Sequence, residues 1–490
     1  MSYSRRNFIK AAAGVAAGAL TTPYIVTQSK AQSTGGNGGK PLKIIQFVSD
    51  GTSPSMVTIS DIFSRMVRGR GLSWLAMGKD ENCHTGLMDV ASLNSCVTDS
   101  SASSSAWGCG CRINNGAVNC LPDGTLLKPL YELLREPHWK RGLVTTTEIT
   151  HATPAGFGSA CKGRDDTTAI ANYYRTLEID VLLGGGQNIY KENMLEEYRR
   201  FGYQIAKTSD DLKKVDNGKK VLGLFAGGHL PMTIDWLNHK SLQATVPTLA
   251  EMTAKALEML GANDRFILQV EGGRVDHACH GSDAPGAIYD HLAFDDAIQV
   301  ALDYQKAHPE TLIVVTADHG CGGPSLNGMG SNYGDTPALL AKVQKAKGSF
   351  ERLTSGLKKC DHAPQVQAYI EKNYEIKLTA EQANWLLLVR DERHSEIYGP
   401  IGGYSCQLGQ TLANHFGISW GSGNHSADFV ALMAKGPGSE RFKGLIRNTD
   451  IFDHYVDFAG LNFRNKQWTG ETAQAASVSM SPHWLDTQIA

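Results

Sequence analysis

The sequence predicts an α/β fold: a three-layer α/β/α sandwich around a mostly parallel central sheet, with an inserted helical and irregular region near the site. Two observations predict it. Short apolar runs of strand length alternate with amphipathic helical stretches, the rhythm of a helix-covered parallel sheet. Three of those runs, Lys43–Val48, Phe266–Val270 and Thr311–Thr316, each lead into acids or histidines. Open α/β sheets place their ligands along the carboxyl edge, so one site is expected there.

The chain begins with a segment outside the fold. Ser4-Arg5-Arg6-Asn7-Phe8-Ile9-Lys10 is a twin-arginine pattern, Ala11–Val26 a small-residue apolar region, and Ser29-Lys30-Ala31 a cleavage-like site. Residues 1–31 are therefore expected to be a signal peptide that exports the folded protein to the periplasm or beyond. Residues 32–41, rich in glycine, form a flexible leader. The chain's 490 residues are 41% hydrophobic and 20% charged, enough for a large core. A formal net charge of -2 argues against nucleic-acid-specific binding or general attraction to anionic membranes, and no stretch is apolar for long enough to span a bilayer. Its ten cysteines all follow the predicted cut, and an oxidising compartment leaves their pairing open, since spacing alone gives no connectivity. Cys109-Gly110-Cys111 lacks the second Cys/His pair that a thiolate metal site needs.

The first part of the main domain spans residues 42–324. Its strands are Lys43–Val48, Gly142–Thr146, Ile179–Leu183, Lys220–Phe225, Phe266–Val270 and Thr311–Thr316. Its helices include Asp166–Leu177, Thr248–Leu260 with a Thr248/Glu251 capping box, and Ala287–Tyr304. Residues 325–412 break the rhythm with a glycine-rich loop and helical stretches near Pro364–Glu371 and Thr379–Val389, and read as an insertion crowning the sheet edge. Residues 413–490 complete the domain, with Phe429–Ala434 as another short buried strand.

Four segments carry the chemistry. Val270–His280 (VEGGRVDHACH) gathers Glu271, Asp276, His277 and His280, the carboxylate and imidazole donors that a divalent cation such as zinc takes. In Val97–Gly110, Ser100 follows Asp99 where a helix start would favour an anion such as phosphate. His151–Arg164 offers the Thr153 hydroxyl to a hard cation and the planar fork of Arg164 to phosphate oxygens. In Gly421–Asp428, Gly423 and Asn424 let His425 turn inward. Asp50 and the pair Asp318-His319 end the remaining two strands.

From about Lys43 to Phe463, apart from the Ser325–Leu412 region, the chain resembles the alkaline phosphatases of the metal-dependent phosphomonoesterase type. VTDSSAS, HATPAGF, VEGGRVDHACH, TADHG and SGNHSADFV carry the resemblance, with DVLLGGG and PTLAEMTAKAL beside them. It implies hydrolysis of small-molecule phosphate monoesters through a phosphoserine on Ser100, with Arg164 as phosphate clamp and Asp99 orienting it. It further implies Asp276, His280 and His425 around one zinc and Asp50, Asp318 and His319 around a second. Asp50, Thr153 and Glu271 match a third site, usually magnesium. His151 and His277 stand where some members have an aspartate and a lysine, which makes zinc the alternative third metal. A homodimer is usual in the family. Sulfatases need a C/S-x-P-x-R setting that Ser100 lacks, whereas diester hydrolysis stays open. A decayed binding protein is disfavoured, because every carried-over position holds a competent residue type.

Overall fold

Along the strand β1 (Lys43–Ser49), successive side chains go to opposite faces, and both faces are covered. Ile44 and Val48 pack into one apolar cluster, Ile45 and Phe47 into another. Strands β7 (Phe266–Gly272) and β8 (Thr311–Thr316), which flank β1, divide in the same way: Phe266, Leu268, Val270, Ile313 and Val315 on one side, Ile267, Leu312 and Val314 on the other. The period-2 alternation of strand side chains thus builds two cores around one sheet, and the three-layer α/β/α architecture follows. A computed structural model describes residues 40–331, 333–390, 401 and 403–470; the signal peptide and nearly all of the leader lie outside them.

The other sheet strands are β2 (Cys83–Asp89), β3 (Lys140–Glu148), β4 (Val181–Gly185), β5 (Tyr203–Ala206) and β6 (Lys220–Leu224). Four short strands follow β8: β9 (Gly320–Cys321), β10 (Pro324–Leu326), β11 (Ile418–Trp420) and β12 (His425–Ser426). Strands β13 (Val430–Lys435) and β14 (Gly444–Arg447) complete the set. The main sheet has ten strands in the order β14-β2-β13-β8-β1-β7-β3-β4-β6-β5. All run parallel except β13, which lies antiparallel to both β8 and β2. The short buried strand expected at Phe429–Ala434 is present as β13, but its burial is one-sided. In β13 buried and half-buried residues alternate, because near this margin only one face of the strand is fully covered.

Register fixes the site. Thr145, Glu271, Val48 and Thr316 form one row across β3, β7, β1 and β8. The chain beyond that row supplies Asp50 after β1 and Asp318 after β8. The helix Leu249–Gly261 starts at the predicted capping box, and Ala284–Ala307 starts three residues before the expected Ala287 because Asp283 caps it. After β10 the chain forms the helices Thr336–Ala341, Phe350–Leu357, Ala363–Tyr374, Ala380–Leu388 and Tyr404–Phe416. It returns in β11, which pairs antiparallel with β10. All ten cysteines are free thiols, which settles the question of pairing that the sequence leaves open. Eight are buried, where a thiol packs as a small apolar side chain. No helix among the described residues is long and apolar enough to cross a membrane.

Candidate active site

The site begins with a helix cap. Asp99 precedes the Ser100–Cys109 helix in extended conformation and accepts the Ala102 N–H at 2.8 Å, as a capping aspartate does. Its other oxygen accepts the Ser101 hydroxyl at 2.7 Å, the Gly116 N–H at 2.9 Å and Arg164 Nη1 at 3.1 Å. Burial opposes the charge on Asp99, yet Arg164 and these donors outweigh it and hold the carboxyl below its usual range. The cap therefore places Ser100 in the first turn and aims Arg164 with one carboxylate. The Ser100–Cys109 helix crosses the Ala152–Gly158 helix at two glycines; a Cβ on Gly108 would stand 2.0 Å from the Gly156 carbonyl oxygen. That close approach brings Thr153 and His151 to the same pocket.

Ser100 is buried, with its Oγ 3.2 Å from His319 Nε2. The same ring nitrogen lies 3.1 Å from Asp318 Oδ2 and 3.4 Å from Asp50 Oδ1. Beside it, Asp276 approaches His280 Nε2 at 3.2 Å and His425 Nε2 at 3.7 Å, and the His319 and His425 rings stack at 3.7 Å. Gly51 makes the junction possible. Its φ is +67°, and a Cβ there would sit 2.4 Å from Asp276 Oδ1, so only glycine fits.

Hydrogen-bond direction shows what belongs among these groups. His280 Nδ1 faces the Gly423 carbonyl at 2.7 Å and His425 Nδ1 faces the Thr98 carbonyl at 2.8 Å. A carbonyl only accepts, so both rings donate from Nδ1 and turn Nε2 toward the centre of the group as the donor atom for a cation. Those two nitrogens lie 3.0 Å apart with Asp276 against them. Converging donor atoms of this kind fit a cation, and the carbonyl contacts fix the tautomers as second partners of ligating histidines do. Asp276, His280 and His425, with Cys321 Sγ nearby, form one group whose donor atoms lie within 4.8 Å of one another. Asp50, Asp276 and His319 form a second group, and Asp50, His151 and Glu271 a third. Both oxygens of Asp50, one oxygen each of Glu271, Asp276 and Asp318, the Thr153 hydroxyl and His151 Nδ1 are buried without a hydrogen-bond partner.

The electrostatics agree with that reading. Burial, then repulsion from Asp318, Asp276 and Glu271, pushes the Asp50 carboxyl well above its usual range. Burial also raises Glu271 to about 7, against the pull of the Thr145 hydroxyl at 2.5 Å and Thr147 at 3.2 Å. Every residue singled out in the sequence as catalytic or metal-binding lies in this one site. His151 Nε2 is 3.5 Å from Arg164 Nη2, and the His277 ring is 5.7 Å from the His151 ring. Sequence reasoning missed His229, whose ring lies 4.5 Å from that of His277, and the Thr145/Thr147 pair that grips Glu271. The antiparallel pairing of β9 with β12 sets Cys321 opposite His425.

Known proteins resemble this chain in sequence and fold. A twin-arginine signal profile matches residues 2–22, so the chain is exported by that route to the periplasm or outside. Alkaline phosphatase 4 of Bacillus subtilis is 31% identical over 364 residues, covering 72% of this chain and 75% of the relative. The crystal structure of Thermus thermophilus alkaline phosphatase superposes with a TM-score of 0.79 at 30% identity, covering 92% of this chain and 98% of that one. The cold-active enzyme of Shewanella sp. gives 0.72 at 26% identity, covering 85% and 99%. The alkaline phosphatase family profile spans residues 42–461, and the chain belongs to that family of phosphatases.

Proposed function

We propose that the chain hydrolyses phosphate monoesters through a phosphoserine on Ser100, in a site that holds two zinc ions and a third metal. Asp276, His280 and His425 would hold one zinc, Asp50, Asp318 and His319 the other, and Asp50, Thr153 and Glu271 the third ion. The observation that carries this reading is the placement of the Ser100 hydroxyl against His319, amid buried carboxylate and imidazole lone pairs that lack hydrogen-bond partners. When bound, the cations would supply Lewis-acid polarisation of the serine hydroxyl and of the departing ester oxygen.

The protein's own residues position the reaction. Ser100 Oγ forms a bond to phosphorus as the ester oxygen departs with the alcohol, which takes up a proton. Arg164, held by Asp99, meets two of the equatorial oxygens with its fork. The start of the Ser100–Cys109 helix favours the added negative charge. Water then opens the phosphoserine and returns a proton to Ser100, releasing inorganic phosphate. The donor atom of His151 beside Asp50 and Glu271 makes zinc a strong competitor of magnesium at the third position, since magnesium prefers oxygen donors. We also infer that residues 325–412 form an insertion in the catalytic domain; the pairing of β10 with β11, which brings the two ends of this stretch together, supports it.

Ser100→Ala tests the reading. Most turnover of an aryl phosphate should vanish while the zinc content stays that of the wild type; full activity in this variant overturns the assignment of the nucleophile.

A further inference from the structure

One polar chain reaches the pocket from the stretch between β10 and β11. Glu351 stands in the first turn of the Phe350–Leu357 helix, its side chain 42% exposed. Its carboxylate pairs with Arg274 Nη2. Arg274 itself is fully buried, and its Nη1 lies 2.6 Å from His277 Nδ1. A guanidinium has only donors and keeps its charge, so His277 Nδ1 must accept. The proton of that ring therefore sits on Nε2, which is buried and meets no protein acceptor. His229 is set in the same way, because its Nδ1 accepts the Glu148 N–H at 3.1 Å.

We propose that Glu351 is a positioning residue for the phosphate pocket: through Arg274 it fixes His277 as a neutral Nε2–H donor. In that state the ring can hydrogen-bond a phosphate oxygen or a water carried by it, and it has no lone pair at Nε2 for a cation. Three imidazoles crowd this corner, with the His277 ring 4.5 Å from His229 and 5.7 Å from His151. Of the three, only His151 belongs to a group of metal-compatible donors among the described residues. His229 and His277 both spend Nδ1 on accepting a hydrogen bond and so carry the proton on Nε2. Glu351 is needed because Arg274 has other attractions. Its Nε has no partner, and the buried carboxylate of Asp290 lies within its electrostatic reach. Without Glu351 the fork is free to turn toward Asp290 and release His277. An acid borne by a helix outside the sheet thereby sets the donor character of a ring in the pocket.

The inference rests on the phosphatase reading, and its test separates the two. Metal-loaded wild-type, Glu351→Ala and Glu351→Gln proteins are compared by inhibition of aryl phosphate turnover with inorganic phosphate. The ring nitrogens of 15N-histidine-labelled samples are read by NMR, with His277→Gln supplying the assignment. Loss of a charge-assisted contact predicts that Glu351→Ala raises the phosphate inhibition constant about tenfold, more than it changes kcat, at unchanged zinc content. The His277 signals should pass from the Nε2–H form to a mixture of tautomers, and Glu351→Gln, which keeps an acceptor oxygen, should lie between. A wild-type ring protonated on Nδ1, or a Glu351→Ala protein with unaltered phosphate inhibition and ring pattern, overturns the proposal. The ring pattern is read without turnover, so an inactive wild-type protein would overturn the phosphatase reading while the nitrogens still judged the relay.

Discussion

At the scale of single residues, Asp99 carries two tasks that substitution can separate. One oxygen caps the helix that bears Ser100, and the other holds Arg164. Asparagine keeps a side-chain acceptor for the cap but loses the charge that aims the guanidinium. Asp99→Asn should therefore weaken inhibition by inorganic phosphate about tenfold, as loss of a charge-assisted contact does, with little change in stability. Asp99→Ala should add a stability loss of about 1 kcal/mol from the missing cap. Urea unfolding beside phosphate inhibition checks both, and equal stability losses in the two variants would contradict the division of labour. Much of the site was legible at this scale. Asp50, Asp318, His319 and the Glu271–His280 segment stand directly after apolar strands, where chemistry-bearing residues announce themselves. The Glu351–Arg274–His277 chain was not legible, because Glu351 is separated from Arg274 by 77 positions and only the packing of a remote helix brings them together.

At the scale of elements, the central strands were readable and the margins were not. β1, β7 and β8 are buried on both faces and so appear as largely apolar runs, interrupted only by Gln46 and Gln269 between their apolar residues. β2 reads CHTGLMD and is mostly half-exposed, so it carries neither a continuous apolar run nor a clean alternation. The crossing of the Ser100–Cys109 and Ala152–Gly158 helices has no sequence signature beyond two glycines. Gly108→Ala would drive a methyl into the Gly156 carbonyl, and overpacking of this kind should cost about 2 kcal/mol and displace Ser100 relative to Thr153. Equilibrium unfolding and aryl phosphate turnover should both fall; an unaffected variant would show that the helices separate freely. The long Ala284–Ala307 helix carries a second burden in Asp290. Burial raises this carboxyl to about 7, with Arg274 and Thr233 pulling down and Asp235 pushing up. A folded value above the unfolded one means that the proton is held more tightly in the folded protein. The associated stability is present below the unfolded pKa and is lost as pH rises through 7. Asp290→Asn can keep both contacts to Thr233, so its stability relative to wild type should be higher at pH 8.5 than at pH 6 by about 1 kcal/mol. A difference that does not change with pH would mean that Asp290 ionises without penalty.

At the scale of the whole molecule, the site doubles as a fastening for the sheet. Asp50, Glu271, Asp276 and Asp318 are all buried, and they arrive from the ends of β1, β7 and β8 and the helix after β7. His425 comes from β12, more than a hundred residues beyond Asp318 along the chain. Burial, and then repulsion from Asp318, Asp276 and Glu271, pushes the Asp50 carboxyl well above its usual range. A cation bound there neutralises the cluster and ties these segments together, and the unfolded chain offers no such preformed cage. Stability should therefore follow metal concentration by mass action, gaining about 4 kcal/mol when free zinc reaches a thousand times its dissociation constant. Chelation should lower the melting temperature and abolish aryl phosphate turnover, and added zinc should restore both along one binding curve. Ser100→Ala separates the two roles: its melting temperature should respond to chelator and zinc as the wild type does, although its turnover is gone. A melting temperature indifferent to chelation would mean that the fold tolerates the bare carboxylates, and the cage would then serve chemistry alone.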